Sequence, residues 1–383
     1  MLRAAAAALA ASQLLAPAAA VAPAAWSTDL HVTGVVDVST ARTDGRLVVS
    51  GGSRLWLLDR RTGDLAPFAA DTGGYPGGAG DEPYLAVAPG RTAAGGGCAF
   101  TPDDVYVIQQ GPRDVLRIDR SGLAHRFAHV DGVDSLGGIA FDTAGRFGGR
   151  LLVIGPHLGA TVVAAIDCRG GVEHITDRAP VMEGGIAVAP PGFGAFGGDL
   201  VGADELSGQI LAVRPDGSTA PVARSGLPAG GDVGVEGVGF VPAGFTAGGV
   251  AYFADRSTPG NPHPGTNTLL RLDAGTLAAA GVRDGDLLAA TEGGARTIDV
   301  RCAASCSVTE VAAGPPAAHG EGHLVAVADH PAAAGRPLPE ASDLGAAARL
   351  QTLVLRLAIA AAVAAAVGVT AGAAAWLRRR RRT

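Results

Sequence analysis

The chain contains no lysine, and all 30 of its basic side chains are arginines. This bias, together with 58 glycines and 24 prolines, is typical of a gene with very high GC content. Aromatic residues form 4% of the sequence, and no run outside the two ends has the length and period of a long amphipathic helix. The sequence therefore argues against a helical bundle, and its frequent glycine and proline favour short elements joined by turns.

Basic stripes are also missing from the body of the chain. All 36 acidic residues lie between Asp29 and Asp343, where 22 arginines are found, so this stretch carries 22 − 36 = −14 formal charges. An acidic domain without a basic stripe argues against nucleic acid and anionic surfaces as partners. The negative charge is compatible with divalent cations, although solubility alone also explains it.

The long apolar segments lie at the two ends. Arg3, the apolar run from 4 to 22 and the Ala22-Pro23-Ala24 pattern predict a secretory signal peptide over residues 1–25. Near the other end, the 21 residues from Leu357 to Leu377 carry no charge. As a helix they would measure roughly 31 Å, which is enough to cross a membrane. The sequence thus predicts an exported protein with a membrane anchor.

Five arginines, Arg378 to Arg382, follow the apolar run and predict that this end stays in the cytoplasm. We therefore expect a single-pass protein of the cell membrane whose N-terminal domain is extracytoplasmic. The expected divisions are a signal peptide (1–25), an ectodomain (26–330), an Ala/Pro/Gly-rich tether (331–352), a transmembrane helix (353–377) and an arginine tail (378–383). Gly368 and Gly372 form a GxxxG motif through which two anchors could form a homodimer, although so alanine-rich a segment produces this pattern easily by chance.

Four cysteines in an exported chain indicate disulfides. Cys302 and Cys306 flank a three-residue loop between two runs that fit a hairpin. Paired residues on antiparallel strands have Cα atoms about 4.5–5.5 Å apart, within the range of a disulfide. Cys98 and Cys168 then pair by elimination. The alternative is a CxxxC zinc site, which needs two further ligands and is disfavoured in an oxidising compartment.

The middle of the chain repeats a unit of four short apolar runs separated by Gly-, Pro- and Asp-bearing turns. Such units begin at Tyr84, Gly138, Gly185 and Gly237. Short runs with turns of this kind predict hairpins, and a four-stranded unit buries its faces only when copies stack in a ring. We therefore predict an all-β fold, a single β-propeller of about six four-stranded blades over residues 26–330, with five or seven blades as alternatives.

Both ends of the chain are expected to complete one blade. Three strands near the N-terminus have no convincing first strand before them: Leu47–Ser50, Leu55–Asp59 and Leu65–Phe68. The run Glu321–Asp329 supplies the missing strand in this prediction. The unit that begins at Gly237 is expected to continue through Val250–Ala254 and Leu269–Asp273. A blade shared by the two ends would hold the ring shut.

One repeat carries a resemblance to known propellers. It reads Gly-Ile-Ala-Phe-Asp (138–142), Gly-Arg-Leu-Leu-Val-Ile (149–154) and Ile-Asp (166–167). This alternation resembles the repeat of NHL-type propellers and of the broader six-bladed group that includes senescence-marker-protein/gluconolactonase and strictosidine-synthase-like proteins. The resemblance covers roughly residues 40–330 and is specific for the fold. It implies either a ligand-binding module or a calcium-dependent hydrolase of lactones or esters, since the group contains both.

Three strands expected to be innermost open with the same Glu-Gly dipeptide, at Glu183, Glu236 and Glu321. The first residues of innermost strands converge at one mouth of the central channel. These carboxylates therefore predict a site for a hard cation such as Ca²⁺, which prefers many oxygen ligands. The alternative is that Glu-Gly starts a strand by turn chemistry and that the carboxylates remain solvated.

The resemblance adds further candidates and one departure. In the hydrolases of the group, a Glu at such a strand start holds the catalytic metal together with an Asn and an Asp from other blades. Asp204 and Asp255 occupy places where the group often carries an acid. Asparagine occurs here only at Asn261 and Asn267, both in a loop before a strand. The catalytic part of the resemblance therefore lacks one of its ligands.

The segment from His319 to His323 reads His-Gly-Glu-Gly-His. In an extended strand, residues two apart point to the same face, so His319, Glu321 and His323 are expected to converge. Two imidazoles and a carboxylate suit Zn²⁺ or another transition metal. The alternative is an exposed turn whose histidines bind nothing.

Nucleophile motifs are absent, since the sequence contains no GxSxG, HExxH or P-loop. We therefore expect binding as the main function, with a protein partner or a small molecule on the propeller face or in the channel. The first alternative is a Ca²⁺- or Zn²⁺-dependent hydrolase of lactones or esters in the channel. The second is an envelope scaffold with no small-molecule site.

Overall fold

The computed structural model describes residues 23–51, 53–77, 82–89 and 98–329. The predicted tether, transmembrane helix, arginine tail and Gly368–Gly372 pair lie outside these ranges, as does nearly all of the predicted signal peptide. Within the described ranges, no helix is long and apolar enough to span a membrane. These residues belong to one unit of the chain, Met1–Pro331.

The described residues form 25 strands in six sheets, which we number as blades, and one short helix, α1 (Ala274–Ala279). Blade 1 contains β3 (Val35–Val38), β4 (Leu47–Gly51), β5 (Arg54–Leu58) and β6 (Leu65–Phe68). Blade 2 contains β7 (Leu85–Val87), β8 (Val105–Gln109), β9 (Asp114–Ile118) and β10 (Ala124–His129). Blade 3 contains β11 (Gly138–Phe141), β12 (Leu151–His157), β13 (Ala160–Ile166) and β14 (Val172–Ala179).

Blade 4 contains β15 (Glu183–Val188), β16 (Leu200–Asp204), β17 (Gln209–Val213) and β18 (Thr219–Arg224). Blade 5 contains β19 (Val235–Phe240), β22 (Leu287–Thr291), β23 (Thr297–Cys302) and β24 (Cys306–Ala313), with the two-residue β1 (Ala24–Ala25) added in parallel at its edge. Blade 6 contains β25 (Gly320–Ala328), β20 (Gly249–Asp255), β21 (Thr268–Asp273) and β2 (Ser27–His31). The predicted all-β propeller of about six blades is confirmed.

Ring closure differs from the prediction. Blade 1 has its own first strand, β3, which pairs with β4 (Leu47–Gly51). All four residues of β3 are buried. The C-terminal strand β25 instead becomes the innermost strand of blade 6, and β2 from the N-terminus is the outermost strand of that blade. The two ends do share one blade, but it is not the blade that was expected.

The unit expected to begin at Gly237 is also wrong in its later strands. After β19 the chain crosses to blade 6 and forms β20 and β21, which pair with each other and not with β19. It then returns through α1 to blade 5, where β22 pairs with β19. Strands that follow one another in the sequence thus belong to different blades, and no local sequence pattern predicts this crossing.

Tight turns with an aspartate and a glycine join the third and fourth strands of several blades. In blades 1 to 3 the third strand is followed directly by an aspartate. A glycine with positive φ comes a few residues after that aspartate, at Gly63, Gly122 and Gly170. Asp119 and Asp167 accept hydrogen bonds from backbone N–H groups of their own turns. Such Asx turns with a left-handed glycine favour a tight reversal.

The hydrophobic core is divided among the interfaces between neighbouring blades. Five of the six buried clusters combine residues of two adjacent blades, and the cluster between blades 2 and 3 also includes Val36 of blade 1. The innermost strands run in the same direction along the channel. They approach one another closely, since a Cβ on Gly239 of β19 would lie 1.7 Å from the carbonyl oxygen of Leu324 in β25. The starts of these strands therefore meet at one mouth and their ends at the other.

Both predicted disulfides are present. Cys302 and Cys306 face each other across β23 and β24, with Cα atoms 4.0 Å apart. Cys98 and Cys168 have Cα atoms 6.0 Å apart and link the segment before β8 to the turn after β13, so they join blades 2 and 3. With both thiol pairs occupied, the alternative of a CxxxC zinc site does not apply.

Candidate functional site

One mouth of the channel collects glutamates from four blades. Some of these glutamates lie at the start of an innermost strand, and others directly follow the second strand of a blade. Because the second strand is antiparallel to the innermost strand, its end lies beside the start of the innermost strand. We call these residues, with a tyrosine, an arginine and a histidine beside them, the acidic mouth: Glu82, Tyr84, Glu183, Glu205, Glu236, Arg256, Glu292, His319 and Glu321. The ring thus brings together residues far apart in the sequence.

The buried hydroxyl of Tyr84 joins three of these carboxylates. It donates a hydrogen bond to Glu321 Oε1 and lies 3.2 Å from both Glu236 Oε1 and Glu82 Oε2. Arg256 Nη1 lies 2.5 Å from Glu82 Oε1 and 3.0 Å from Glu321 Oε2. The Tyr84 hydroxyl, the Arg256 guanidinium and the Gln110 side-chain amide, which donates to Glu82 Oε2, serve this group. Only one of these donors is charged, so the carboxylates repel one another unless protons or a further cation join them.

His319 lies beside Glu321 and one further acid, Glu292. Its Nε2 lies 2.7 Å from Glu292 Oε1. Its Nδ1 is buried and has no hydrogen-bond partner among the described residues. Ligand atoms of Glu292, His319 and Glu321 all lie within 4.8 Å of one another. Three donors this close, on side chains that are all buried, form a preorganised site.

The electrostatics of the mouth follow from burial and like charge. Burial, and then the charge of Glu82, raises the pKa of Glu321 to about 7. Burial, and then the charge of Glu321, raises the pKa of Glu236 well above its usual range. Burial, and then the charge of Glu292, raises the pKa of Glu205 to about 8. Near neutral pH the acids therefore share protons, which a bound cation would displace.

A glycine makes room for one of the buried acids. Gly184 has φ +71°, and a Cβ there would lie 2.0 Å from Glu236 Oε1. Any side chain at this position would push the Glu236 carboxylate away and would also strain the backbone. Gly184 in blade 4 therefore leaves the space that the carboxylate of Glu236 in blade 5 occupies.

The structure brings most of the sequence-predicted metal ligands to this mouth. Glu236 and Glu321 share the Tyr84 hydroxyl, His319 lies beside Glu321, and the exposed Glu183 begins the strand next to them. Asp204 and Asp255 lie at the same end of the ring but are used in local hydrogen bonds. Asp204 caps its turn through Leu206 N and Ser207 Oγ, and Asp255 accepts from Thr266 and from His319 N.

The expected convergence of His319, Glu321 and His323 does not occur. Gly322 has φ +68°, and the register of β25 against β20 shifts at this point, so the alternation of faces is broken. His323 lies further along the channel, where its Nδ1 is 2.9 Å from Asp37 Oδ2 and its Nε2 is 2.8 Å from the carbonyl oxygen of Ile139. It is therefore not part of the acidic mouth.

Several members of the mouth were missed by the sequence analysis: Glu82, Tyr84, Glu205, Arg256 and Glu292. Two of them had a visible signal. Glu82 precedes an innermost strand, as Glu183 begins one, and Glu292-Gly293 repeats the Glu-Gly dipeptide at the end of a second strand. Tyr84 and Arg256 gave no signal, because their role depends on which blades are neighbours.

The residues at the mouth fit a divalent cation. The buried Nδ1 atom of His319 and the Oε1 atom of Glu205 have no hydrogen-bond partners among the described residues. A set of carboxylates suits Ca²⁺, and an imidazole beside two carboxylates suits Zn²⁺. Glu292 and Glu321 would be ligands of either ion, and His319 would join them for Zn²⁺.

Comparison with solved structures finds similar propellers. Virginiamycin B lyase from Staphylococcus aureus shares 11% identity with this chain at a TM-score of 0.43, covering 75% of this chain and 74% of that chain. A gluconolactonase from Xanthomonas campestris shares 13% identity at a TM-score of 0.42, covering 74% of this chain and 77% of that chain. No family model and no curated protein matches the chain.

The chain is similar in fold to six-bladed propellers of the gluconolactonase and virginiamycin B lyase type. The propeller fold that the repeat sequence implied is confirmed by the six sheets of the structure itself. At these identities the likeness concerns the fold alone.

Proposed function

We propose that the acidic mouth binds a divalent cation, and that the propeller binds a small oxygen-bearing molecule through that cation. The observation that carries this proposal is the buried group of Glu292, His319 and Glu321, whose ligand atoms lie within 4.8 Å of one another. Further acids surround this group, and Arg256 neutralises only part of their charge. A cation would relieve the repulsion that, after burial, raises the pKa of Glu236 and of Glu321.

The choice between Ca²⁺ and Zn²⁺ depends on whether His319 binds the ion. Coordination by carboxylates alone favours Ca²⁺, which takes oxygen ligands, whereas coordination that includes the imidazole favours Zn²⁺. The side of the ion that faces the channel mouth would remain open to a ligand, since Glu183 at the mouth is exposed. Carboxylates, hydroxyls and carbonyl oxygens are the groups that either ion would accept there.

Metal content of the full chain, purified without chelator, tests the proposal. We expect about one Ca²⁺ or Zn²⁺ per chain, and a melting temperature that falls when chelator removes the ion. Glu292→Gln and Glu321→Gln should each lose most of the ion. Glu173→Gln on the outermost strand of blade 3, where the side chain is 68% exposed, should keep it. Metal-free protein whose melting does not respond to added Ca²⁺ or Zn²⁺ would contradict the proposal.

Hydrolysis of a lactone or ester is a second candidate function. The observation in its favour is that the buried Oε1 atom of Glu205 has no hydrogen-bond partner among the described residues, so a carboxylate oxygen beside the proposed ion is available to take up a proton. Glu205→Gln should then lower kcat on a lactone panel by about 10²- to 10⁴-fold while the metal content is kept. Absence of turnover by metal-loaded protein on any lactone or ester of the panel would leave binding as the function.

We also propose that the protein is exported and anchored in the cell membrane by residues 353–377, with the propeller outside. The two disulfides support an oxidising compartment, and the apolar ends of the sequence support the anchor. Protease added to intact spheroplasts should digest the propeller and spare a tag placed after Thr383. A protected propeller would contradict this orientation. Cross-linking in the same membranes would reveal a homodimer through Gly368 and Gly372 if one forms.

A further inference from the structure

The half of the channel opposite the acidic mouth contains a cavity of about 500 Å³. Its walls come from all six blades, because the last residues of each innermost strand contribute to it. We call it the apolar cavity. A void inside a core can collapse when neighbouring side chains relax, whereas this space is fixed by the closed ring of six strands. Its volume is within the range of about 300–1,000 Å³ that holds small molecules.

His323, which Asp37 holds by hydrogen bonds, lines the apolar cavity on the side toward the acidic mouth. His323 Nδ1 lies 2.9 Å from Asp37 Oδ2, and His323 Nε2 lies 2.8 Å from the carbonyl oxygen of Ile139. Asp37 also accepts hydrogen bonds from the backbone N–H groups of Leu85 and of His323. Both ring nitrogens are therefore occupied, and His323 offers no free polar side-chain atom to a ligand.

Two further polar side chains of the wall, Asp284 and Ser39, make hydrogen bonds within the protein. Asp284 accepts hydrogen bonds from the N–H groups of Gly244 and Thr246 and from the Thr246 hydroxyl. The Ser39 hydroxyl donates to the carbonyl oxygen of Thr40 and accepts from Val48 N. Among the described residues that line the cavity, none is an arginine. A negatively charged molecule would therefore lose hydration without gaining a cationic partner, and the Asp284 carboxylate would repel it.

The remaining surface is mainly apolar. The residues that line it include Leu85, Ile139, Phe141, Ile186 and Leu324. Polar contacts remain at the rim, where Thr40 and Thr143 are exposed, and along the strands, since each innermost strand has one edge without a neighbour in its sheet. A water molecule needs two to four polar partners to be held firmly, so an apolar body displaces the water of such walls at low cost.

We propose that the apolar cavity binds a neutral, mainly apolar small molecule that carries one or two hydroxyl or carbonyl groups. The apolar body occupies the channel above His323, and its polar groups meet the free strand edges or the threonines of the rim. This site lies at the opposite end of the channel from the acidic mouth. It does not depend on a cation being bound there.

The test uses the full chain in one detergent buffer, titrated with N-phenyl-1-naphthylamine, a neutral dye whose fluorescence rises in apolar surroundings. We expect saturable binding of about one dye per chain over the detergent background. Ala187→Phe places a ring in the half-buried wall, and Thr143→Trp covers the exposed rim. Each should weaken dye binding by at least about tenfold. Ala66→Phe, on the exposed outer strand β6, is the matched control and should bind as the unsubstituted chain does.

Two results would overturn the proposal. The first is dye binding that is equal in the unsubstituted chain, Ala187→Phe and Thr143→Trp, since the dye would then lie elsewhere. The second is preference for the anionic sulfonated analogue of the dye over the neutral one. Circular dichroism and melting of each variant show whether it folds. If Ala187→Phe does not fold, the rim variant Thr143→Trp decides the question alone, because its exposed position does not enter the core.

Discussion

Three identical Glu-Gly dipeptides place their glycines under three different constraints. Gly184 has φ +71° and leaves room for the carboxylate of Glu236, and Gly322 has φ +68° and lies against Asp37. Gly237 has no positive φ, and a Cβ there would instead lie 2.4 Å from the ring of Phe253. The sequence predicted correctly that the three glutamates meet at one mouth, because strand starts converge in a propeller. It gave no reason for the glycines, since their neighbours come from other blades.

A second acid pair, away from the mouth, makes stability depend on pH. Asp299 and Asp286 share Arg301, whose Nη2 lies 3.3 Å from Asp299 Oδ2 and 2.6 Å from Asp286 Oδ2. Burial, and then the charge of Asp286, raises the pKa of Asp299 from 3.8 to about 7. Because the folded-state pKa is the higher one, the stability that protonated Asp299 contributes is complete below about pH 4 and is lost as the pH rises through 7.

Asp299→Asn should remove this pH dependence. We expect the variant to melt at a higher temperature than the unsubstituted chain at pH 8, with a difference that shrinks toward pH 4, where the aspartic acid is also neutral. Differential scanning fluorimetry between pH 4 and 8 measures it. Asp177→Asn, at an exposed position on β14, is the control and should follow the unsubstituted chain throughout. A difference that grows toward low pH would refute the assignment of the raised pKa to Asp299.

At the scale of the elements, blade 5 closes the turn between its third and fourth strands with a disulfide, where blades 1 to 4 have an Asp and a left-handed Gly. Blades 1 to 3 reverse between third and fourth strands with an aspartate and a left-handed glycine, and blade 4 uses Pro215-Asp216-Gly217. Blade 5 has Ala303-Ala304-Ser305 at this place, closed by the Cys302–Cys306 disulfide. The hairpin geometry of this pair could be predicted because both cysteines are local. The Cys98–Cys168 pair followed only by elimination, since it joins two blades.

The two disulfides should differ in how much they stabilise the protein. The cross-link between Cys98 and Cys168 spans 70 residues, whereas that between Cys302 and Cys306 spans 4. Replacing the first pair by alanine should lower the free energy of unfolding by about 4 kcal/mol and replacing the second by about 2 kcal/mol, because a longer loop restricts the unfolded chain more. Urea denaturation of both double variants measures the difference. A larger loss for the 302–306 pair would mean that native-state strain, not loop entropy, determines the effect.

At the scale of the whole molecule, the ring is closed by an inner strand and not only by an outer one. All nine residues of β25 are buried, and its Leu324 is 1% exposed in the cluster between blades 5 and 6. The outermost strand of the same blade, β2, contributes Leu30, which is only partly buried. The last described strand of the chain is therefore the one that completes the channel wall.

Leu324→Ala should be much more costly than Leu30→Ala. We expect the first substitution to lower the free energy of unfolding by about 2–5 kcal/mol, since it opens a cavity where two blades meet. The second should cost about 1 kcal/mol or less, because the side chain is half-exposed. Urea denaturation of both variants gives the two values. Equal costs would indicate that inner and outer strands close the ring to the same extent.

The sequence by itself determined the class of fold, the approximate number of blades, three strand starts with carboxylates and the local disulfide. These features depend on short-range patterns, namely alternating apolar runs, Asp-Gly turns and cysteines on one hairpin. Only the tertiary structure decided that β20 and β21 belong to blade 6, that Tyr84 and Arg256 join the glutamates, and that His323 binds Asp37. Each of these depends on which blades become neighbours when the ring closes, and the sequence contains no local signal for contacts between residues so far apart.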